Sequence, residues 1–370
     1  MKTSELYLVL AYFFFFIVVL IFSLLINKIL LKFSGNLGVR GNIQCQVRFN
    51  SQSKPSFGGI SFFIIFLLSI TALAFVFSEN NLLLNFKLLG IIVATTLGFA
   101  MGLFDDAYNT RVSIKLLSQI CCGVILIVSG TYISVFESNT LNYILTVLWV
   151  VGLMNSINML DNMDAVATLV SIFILLGIFI QNILAHGLST NLNIVILGII
   201  SSLIGFLVYN WPPSKMYMGD TGSQFLGVVL ATFSIIFIWD FKEYNLDEIP
   251  TKQICAVLMF FALPIIDTAT VSIKRILKGK SPFIGGKDHT THHLAYLGLS
   301  EKQVAALIAL LSAVSVALGI ICLNIHQWTH GYTAIFVAYF LILFTVLFTI
   351  ANFNKDKSNP IGTPADQEEK

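Results

Sequence analysis

The sequence predicts an all-α polytopic membrane protein of about eleven transmembrane helices. Three observations carry this. The 370 residues are 56% hydrophobic and only 11% charged, against about 25% charged residues in soluble domains, so lipid must solvate most of the surface. Apolar runs of helix-spanning length recur along the whole chain, and a bilayer core takes about 20 apolar residues per helix. Period-2 alternation is absent, which argues against a β-barrel.

Eleven runs are read, near 6–28, 58–77, 87–104, 114–133, 141–160, 164–183, 191–209, 222–239, 251–273, 301–323 and 332–353. The first lacks a small-residue cleavage site after it and is read as a retained span rather than a removed signal peptide. Phe13 to Phe16 read as lipid-facing bulk. No internal repeat or soluble domain interrupts the series, so residues 1–353 form one integral-membrane domain. Residues 354–370 form a polar tail, expected to be disordered. Cys45, Cys121, Cys122, Cys255 and Cys322 show no CxxC spacing and are read as small buried hydrophobes.

Charge sets the expected orientation. With the N-terminus outside, loops 28–57, 105–115, 210–221 and 274–302 and the tail lie inside. Together they hold every Lys and Arg except Lys2, Lys87, Lys242 and Lys252. The acidic loop 240–250 then lies outside. The excess of positive charge inside supports this topology, with the C-terminus cytoplasmic.

Each expected cytoplasmic edge also carries a polar cluster: SKPSFGG (53–59), FDDAYN (104–109), NSINMLDNMD (155–164), YNWPPSKMYMGDTGS (209–223) and GGKDHTTHH (285–293). Asn155, Asn158, Asp161 and Asp164 follow at intervals of three, which places them as a polar stripe near one helix face. Ionisable groups at membrane depth are costly and mark functional paths; a helix cap would explain one of the four. Asp105 and Asp106 repel each other unless a cation or proton intervenes. A divalent ion, a general base of raised pKa, or a solvated helix end beside Arg111 each fits the pair. In MGDTGS, Asp220 lies between glycines, and the free N–H groups of the following helix start suit an anion such as phosphate.

In DHTTHH, His289 and His293 are four apart, a spacing that zinc could use. The loop has no Cys and its neighbours are carboxylates, which favours phosphate or sugar hydrogen bonding. His326 and His330 read as interfacial. Lys54 and Arg48 are candidates for a nucleotide phosphate. Several carboxylates, basic groups and a helix start on one face suit a metal-bound pyrophosphate, with a lipid phosphate and a soluble nucleotide as the two substrates.

Four of these motifs, in order, resemble the polyprenyl-phosphate N-acetylhexosamine-1-phosphate transferases, a family to which phospho-N-acetylmuramoyl-pentapeptide transferase is related. GLFDD (102–106) is similar to the aspartate pair, NSINMLDNMDAVA (155–167) to the Asn-x-x-Asn-x-x-Asp-Gly-x-Asp-Gly-x-Ala motif, Asn210 with YMGDTGSQFLG to the nucleotide and metal motif, and DHTTHHL to the histidine motif. The resemblance implies attack of a polyprenyl (undecaprenyl) phosphate on a UDP-N-acetylhexosamine. UMP is released and a lipid-linked pyrophosphoryl sugar begins a cell-envelope polysaccharide. It implies Mg²⁺, with Mn²⁺ as a substitute, held by Asp220 with Asp105 as the second candidate. Asp105, Asp106, Asp161 and Asp164 are the implied catalytic set. Asn158, Asn210, Tyr217, Lys54, His289, His292 and His293 would contact substrate, Tyr217 by stacking on uracil. The expected partners are the nucleotide sugar, the lipid phosphate, the bilayer and a second copy in a homodimer, with no nucleic acid. The expected location is the bacterial plasma membrane, with the site facing the cytoplasm.

The chain departs from the pattern in two places. Asn162 and Ala165 replace glycines, and Thr290 and Thr291 stand where one residue often does. The split histidines favour a simple UDP-N-acetylhexosamine, UDP-GlcNAc first, over the pentapeptide relative's substrate. The rival reading is a secondary transporter of an anion, which would place charges at the bilayer midplane. A CDP-alcohol phospholipid synthase lacks its aspartate motif here.

Overall fold

The computed structural model describes residues 3–34, 54–76, 85–188, 191–241, 251–281, 286 and 288–353. Cys45, Arg48, Lys287, most of the acidic loop 240–250 and the tail lie outside the described residues. Thirteen α-helices follow in order: α1 Thr3–Phe33, α2 Gly58–Val76, α3 Phe86–Tyr108, α4 Val112–Val128, α5 Asn139–Leu160, α6 Val166–His186, α7 Asn193–Asn210, α8 Gly219–Ser234, α9 Thr251–Phe260, α10 Ala262–Leu277, α11 Thr290–Tyr296, α12 Glu301–Leu323 and α13 His330–Phe353. No strand occurs among the described residues.

All eleven apolar runs are helical, but not all are full spans. Nine helices among the described residues are long and apolar enough to cross a membrane. The fourth run forms α4, a shorter helix of 17 residues. The ninth, read as one span, is the pair α9 and α10, bent by 80°. Pro264 supplies the cause. It cannot donate to the carbonyl four residues back, and its ring crowds that carbonyl, so an unbroken helix through Phe260 is excluded. A proline is tolerated in the first turn of a new helix, where Pro264 stands in α10.

Helix α8 is the hub. It packs against α3 and α5, with α2 and α6 completing its surround, and every one of its residues except Asp220 is buried. Small residues permit this approach, as is usual between helices in lipid. A Cβ on Gly59 of α2 would lie 2.2 Å from the Gly222 nitrogen, and one on Gly102 of α3 would lie 2.3 Å from the Asp220 carbonyl oxygen. Around the hub, α1 packs on α7, α12 on α6 and α9, and α10 on α5 and α13. The outer faces are apolar: Phe13 and Phe14 are exposed, as expected of lipid-facing bulk, whereas Phe15 and Phe16 are half-buried against the core, correcting that expectation for those two. Of the cysteines described, Cys122, Cys255 and Cys322 are buried but Cys121 is exposed, correcting its assignment to the core.

Several polar groups inside the bundle pair across helices. Gln119 of α4 donates to Asn155 of α5 at 3.3 Å and to Gln224 of α8 at 3.1 Å. Asn155 returns a bond to Gln119 at 2.8 Å.

Helix α6 begins after Ala165, whose φ of +66° is left-handed. That region costs a Cβ-bearing residue about 1–2 kcal/mol. The Ala165→Gly substitution is expected to stabilise the fold by about 1 kcal/mol, read as a raised thermal midpoint of the detergent-purified protein.

Candidate active site

The site forms where the ends of α3, α5 and α10 meet the starts of α4, α6, α8 and α11. Its centre is an ion-pair cluster. Asp105 Oδ1 accepts from the Thr110 N–H at 2.9 Å and the Thr110 hydroxyl at 2.7 Å. Asp105 Oδ2 accepts from Lys115 Nζ at 2.7 Å. The same ammonium lies 3.2 Å from Asp220 Oδ2. The Asn158 amide donates to Asp220 Oδ1, and to Ser223 Oγ at 2.9 Å. The cation beside the aspartate pair is therefore Lys115, not Arg111. Sequence reasoning missed Lys115, and its signal was a lone lysine in the first turns of an apolar helix.

Asp106 does something different from its neighbour. Its carboxylate accepts from the Asp220 N–H at 2.9 Å, the Thr221 N–H at 2.8 Å and the Thr221 hydroxyl. It is the anion at the N-terminus of α8, complementing the partial positive charge there. This corrects the expectation that those N–H groups await a phosphate. Gly219 makes the contact feasible: its φ is +72°, and a Cβ there would lie 2.5 Å from Asp106 Oδ2.

The expected stripe of four is not a stripe, because α5 ends at Leu160 and Asp161 is its C-cap. Asn155 turns to Gln119 and Asn158 to Asp220, whereas Asp164 lies in the turn beyond. Asp164 Oδ1 accepts from Ser214 Oγ and Oδ2 from the Ser214 N–H, both at 2.8 Å. Lys54 Nζ is 3.8 Å from Asp164 Oδ2, 3.2 Å from Ser214 Oγ and 5.3 Å from the centre of the buried Tyr217 ring. Lys54, Asp164 and Tyr217 thus form one group. Asn210 accepts from the Ala165 N–H at 3.1 Å and Thr168 Oγ1 at 2.8 Å, and donates to the Met216 carbonyl at 3.1 Å. Those bonds join the start of α6 to the loop before α8.

The histidines occupy a third group. Asp267 of α10 accepts from the Thr290 N–H and lies against His289 Nδ1, each at 2.9 Å. A carboxylate only accepts, so His289 Nδ1 carries the proton. His292 Nε2 lies 3.4 Å from the Asn162 carbonyl oxygen. Lys274 Nζ, having only donors, gives a hydrogen bond to His293 Nε2 at 2.9 Å and to the Ala351 carbonyl at 2.7 Å. Arg275 holds Asp288 through Nε at 3.0 Å and a terminal nitrogen at 2.7 Å. Burial alone would raise the Asp288 carboxyl, but the Arg275 bonds and charge outweigh it and hold the group below the usual range. Asp267, Lys274 and Arg275 were missed in the sequence. The signal for Asp267 was a single carboxylate inside an apolar run.

Among the described residues, no three His, Cys, Asp or Glu side chains are grouped to hold a metal ion. The zinc alternative for His289 and His293 loses its spacing argument, since one faces Asp267 and the other Lys274. The oxygen donors of Asp105, Asp220 and Asn158 suit a hard cation, and the Lys115 ammonium already supplies positive charge between the two carboxylates.

Burial, then the Lys274 charge, push the His293 pKa down to about 4 from the ordinary 6.5. The folded state therefore favours the neutral ring. Its stabilising contribution is fully present above about pH 6.5 and is lost as pH falls toward 4. The thermal midpoint is expected to fall across that window, and to fall less in His293→Gln, when followed by scanning fluorimetry.

The chain's likeness to known proteins agrees with this geometry. Residues 88–238 match glycosyl transferase family 4. A probable undecaprenyl-phosphate N-acetylglucosaminyl 1-phosphate transferase of Bacillus subtilis (strain 168) is 28% identical over 286 residues, covering 74% of this chain and 75% of that protein. A phospho-N-acetylmuramoyl-pentapeptide-transferase of Staphylococcus saprophyticus is 27% identical over 295 residues, covering 72% and 84%. One from Staphylococcus aureus (strain JH9) matches to the same extent. With its motifs in order and its acidic turns gathered at one end of the bundle, the chain is similar to glycosyl transferase family 4 over residues 88–238.

Proposed function

We propose that the protein transfers a sugar 1-phosphate, GlcNAc 1-phosphate first among candidates, from a UDP-N-acetylhexosamine to a polyprenyl (undecaprenyl) phosphate. UMP leaves, and the lipid-linked product starts a cell-envelope polysaccharide. The observation that carries this reading is the Asp105–Lys115–Asp220–Asn158 cluster, where the ends of α3 and α5 meet the starts of α4 and α8. Carboxylates and an ammonium at the edge of an apolar bundle suit phosphates, one of which arrives on a lipid. A transporter would want such charges between helices at mid-depth.

In the proposed reaction a phosphate oxygen of the lipid forms a bond to the β-phosphorus of the nucleotide sugar. The bond from that phosphorus to the oxygen bridging the α-phosphate breaks, and UMP carries the electron pair away. Lys115 neutralises charge on the phosphates, and Asp105 orients Lys115. Asp220 and Asp105 would hold Mg²⁺, or Mn²⁺ in its place. Mg²⁺ is usually bound by one or two carboxylates plus substrate phosphates, so a cage of three protein ligands is not required. When bound, the ion would neutralise charge developing on the pyrophosphate.

Asp106 serves as a positioning residue, since both its oxygens hold the start of α8 where Asp220 stands. Asn158 orients the Asp220 carboxylate. Asp161, buried at the end of α5, stands between Asn158 and the turn that carries Asp164. Asp164, Lys54 and Tyr217 form the uridine side, with Asn210 fixing the loop beneath them, and His289, His292 and His293 form the sugar and phosphate side. The bacterial relatives support a plasma-membrane location, and the distribution of Lys and Arg supports placing this site toward the cytoplasm.

The test is UMP release by the purified full chain given undecaprenyl phosphate, Mg²⁺ and a panel of UDP-sugars. UDP-GlcNAc is expected to be used best, chelation to stop turnover, and Mg²⁺ or Mn²⁺ to restore it. Lys115→Met and Asp220→Asn are each expected to lower kcat by about 100-fold or more. Absence of UMP from every UDP-N-acetylhexosamine would refute the proposal.

A further inference from the structure

The two places where this chain departs from its family pattern meet in space. Asn162 stands where the aspartate motif has glycine, and Thr291 belongs to the threonine pair in the histidine segment. Thr291 Oγ1 donates to Asn162 Oδ1 at 2.6 Å. Both side chains are buried, Asn162 at 5% exposure and Thr291 at 1%. Unlike Ala165, Asn162 has no positive φ, so backbone freedom does not explain it.

The rest of Asn162 is oriented for this contact. Its amide nitrogen donates to the Met159 carbonyl at 2.9 Å, which fixes the side chain against the end of α5 and leaves Oδ1 to the threonine. Its own carbonyl oxygen lies 3.4 Å from His292 Nε2. One residue thus touches two successive residues of α11. On the other flank, Asp267 takes the Thr290 N–H and His289. Helix α11 has only seven residues, too few to hold its own geometry in isolation. Its placement depends on these outside contacts.

We propose that Asn162 and Thr291 are positioning residues: their bond clasps the histidine helix to the aspartate turn and sets where His292 stands relative to Asp161 and Asp164. A side chain–side chain bond replaces the close backbone approach that glycine would permit. Loss of the hydroxyl leaves the buried Asn162 oxygen without its partner. The helix can then shift, and small misplacement at a phosphoryl-transfer site is expensive in rate.

The activity arm of the test rests on the transferase reading; the exchange arm does not. Thr291→Val keeps shape and removes the hydroxyl, Thr291→Ser keeps the hydroxyl, and Asn162→Gly removes the other partner. With UDP-GlcNAc and undecaprenyl phosphate, Thr291→Val and Asn162→Gly are each expected to lower kcat about tenfold. KM for UDP-GlcNAc should stay within about twofold of the unsubstituted chain. Thr291→Ser should retain most activity, and the double substitution should be no worse than the worse single one. Amide hydrogen exchange in residues 289–296 is expected to speed up in Thr291→Val and not in Thr291→Ser. If Asn162→Gly does not fold, the Thr291 pair of variants decides. Equal exchange and equal kcat in Thr291→Val and the unsubstituted chain would overturn the clasp, as would losses that multiply in the double variant. If the unsubstituted chain releases no UMP, the transferase reading falls, and the exchange contrast still decides the clasp.

Discussion

The structure depends on a carboxylate placed at the first turn of its most enclosed helix. Taking an ion out of water costs several kcal/mol unless partners replace the lost hydration. Asp220 stands at the start of α8, where every other residue is buried. Its position is tolerable because Lys115 and Asn158 take its oxygens and Asp106 holds the backbone beneath it. Each partner comes from a different helix. Packing around α8 and assembly of the charged cluster are therefore one event, and neither α3, α4 nor α5 can shift without removing a partner from Asp220 or its backbone.

That dependence divides labour among residues that look equivalent in sequence. Asp105 and Asp106 are adjacent, yet successive residues of a helix point about 100° apart. One faces Lys115 and the other the α8 N-terminus. Among the histidines, His289 meets a carboxylate and His293 an ammonium, so the two rings are held by opposite charges. Such pairing fixes which ring nitrogen carries the proton. It also ties the histidine helix to both α10 and the last turn of α13, through Asp267, Lys274 and the Ala351 carbonyl.

Legibility in the sequence followed the range of the interaction involved. Apolar runs declared their helices because span length is a local property, and all eleven are helical. The 80° bend was less visible: Pro264 sits in the run, but whether it kinks a span or opens a new helix depends on packing around Phe261. Asp105, Asp161, Asp164 and Asp220 were legible because charge in apolar sequence is conspicuous. Asp267 was equally conspicuous, but no motif surrounded it. The stripe from Asn155 to Asp164 was misjudged because periodicity assumes a continuous helix, and α5 stops at Leu160.

The sequence by itself determined the helical membrane architecture, the family resemblance and the set of polar turns, since hydrophobic length and motif spacing are written along one dimension. Only the tertiary structure decided which charges face one another. Lys115 reaches across to Asp220, 105 residues away, and Thr291 reaches Asn162, 129 residues away. Contacts at that separation arise from how helices cross and which glycines let them close. Those crossing geometries are set by packing among several helices at once, a property no single segment carries.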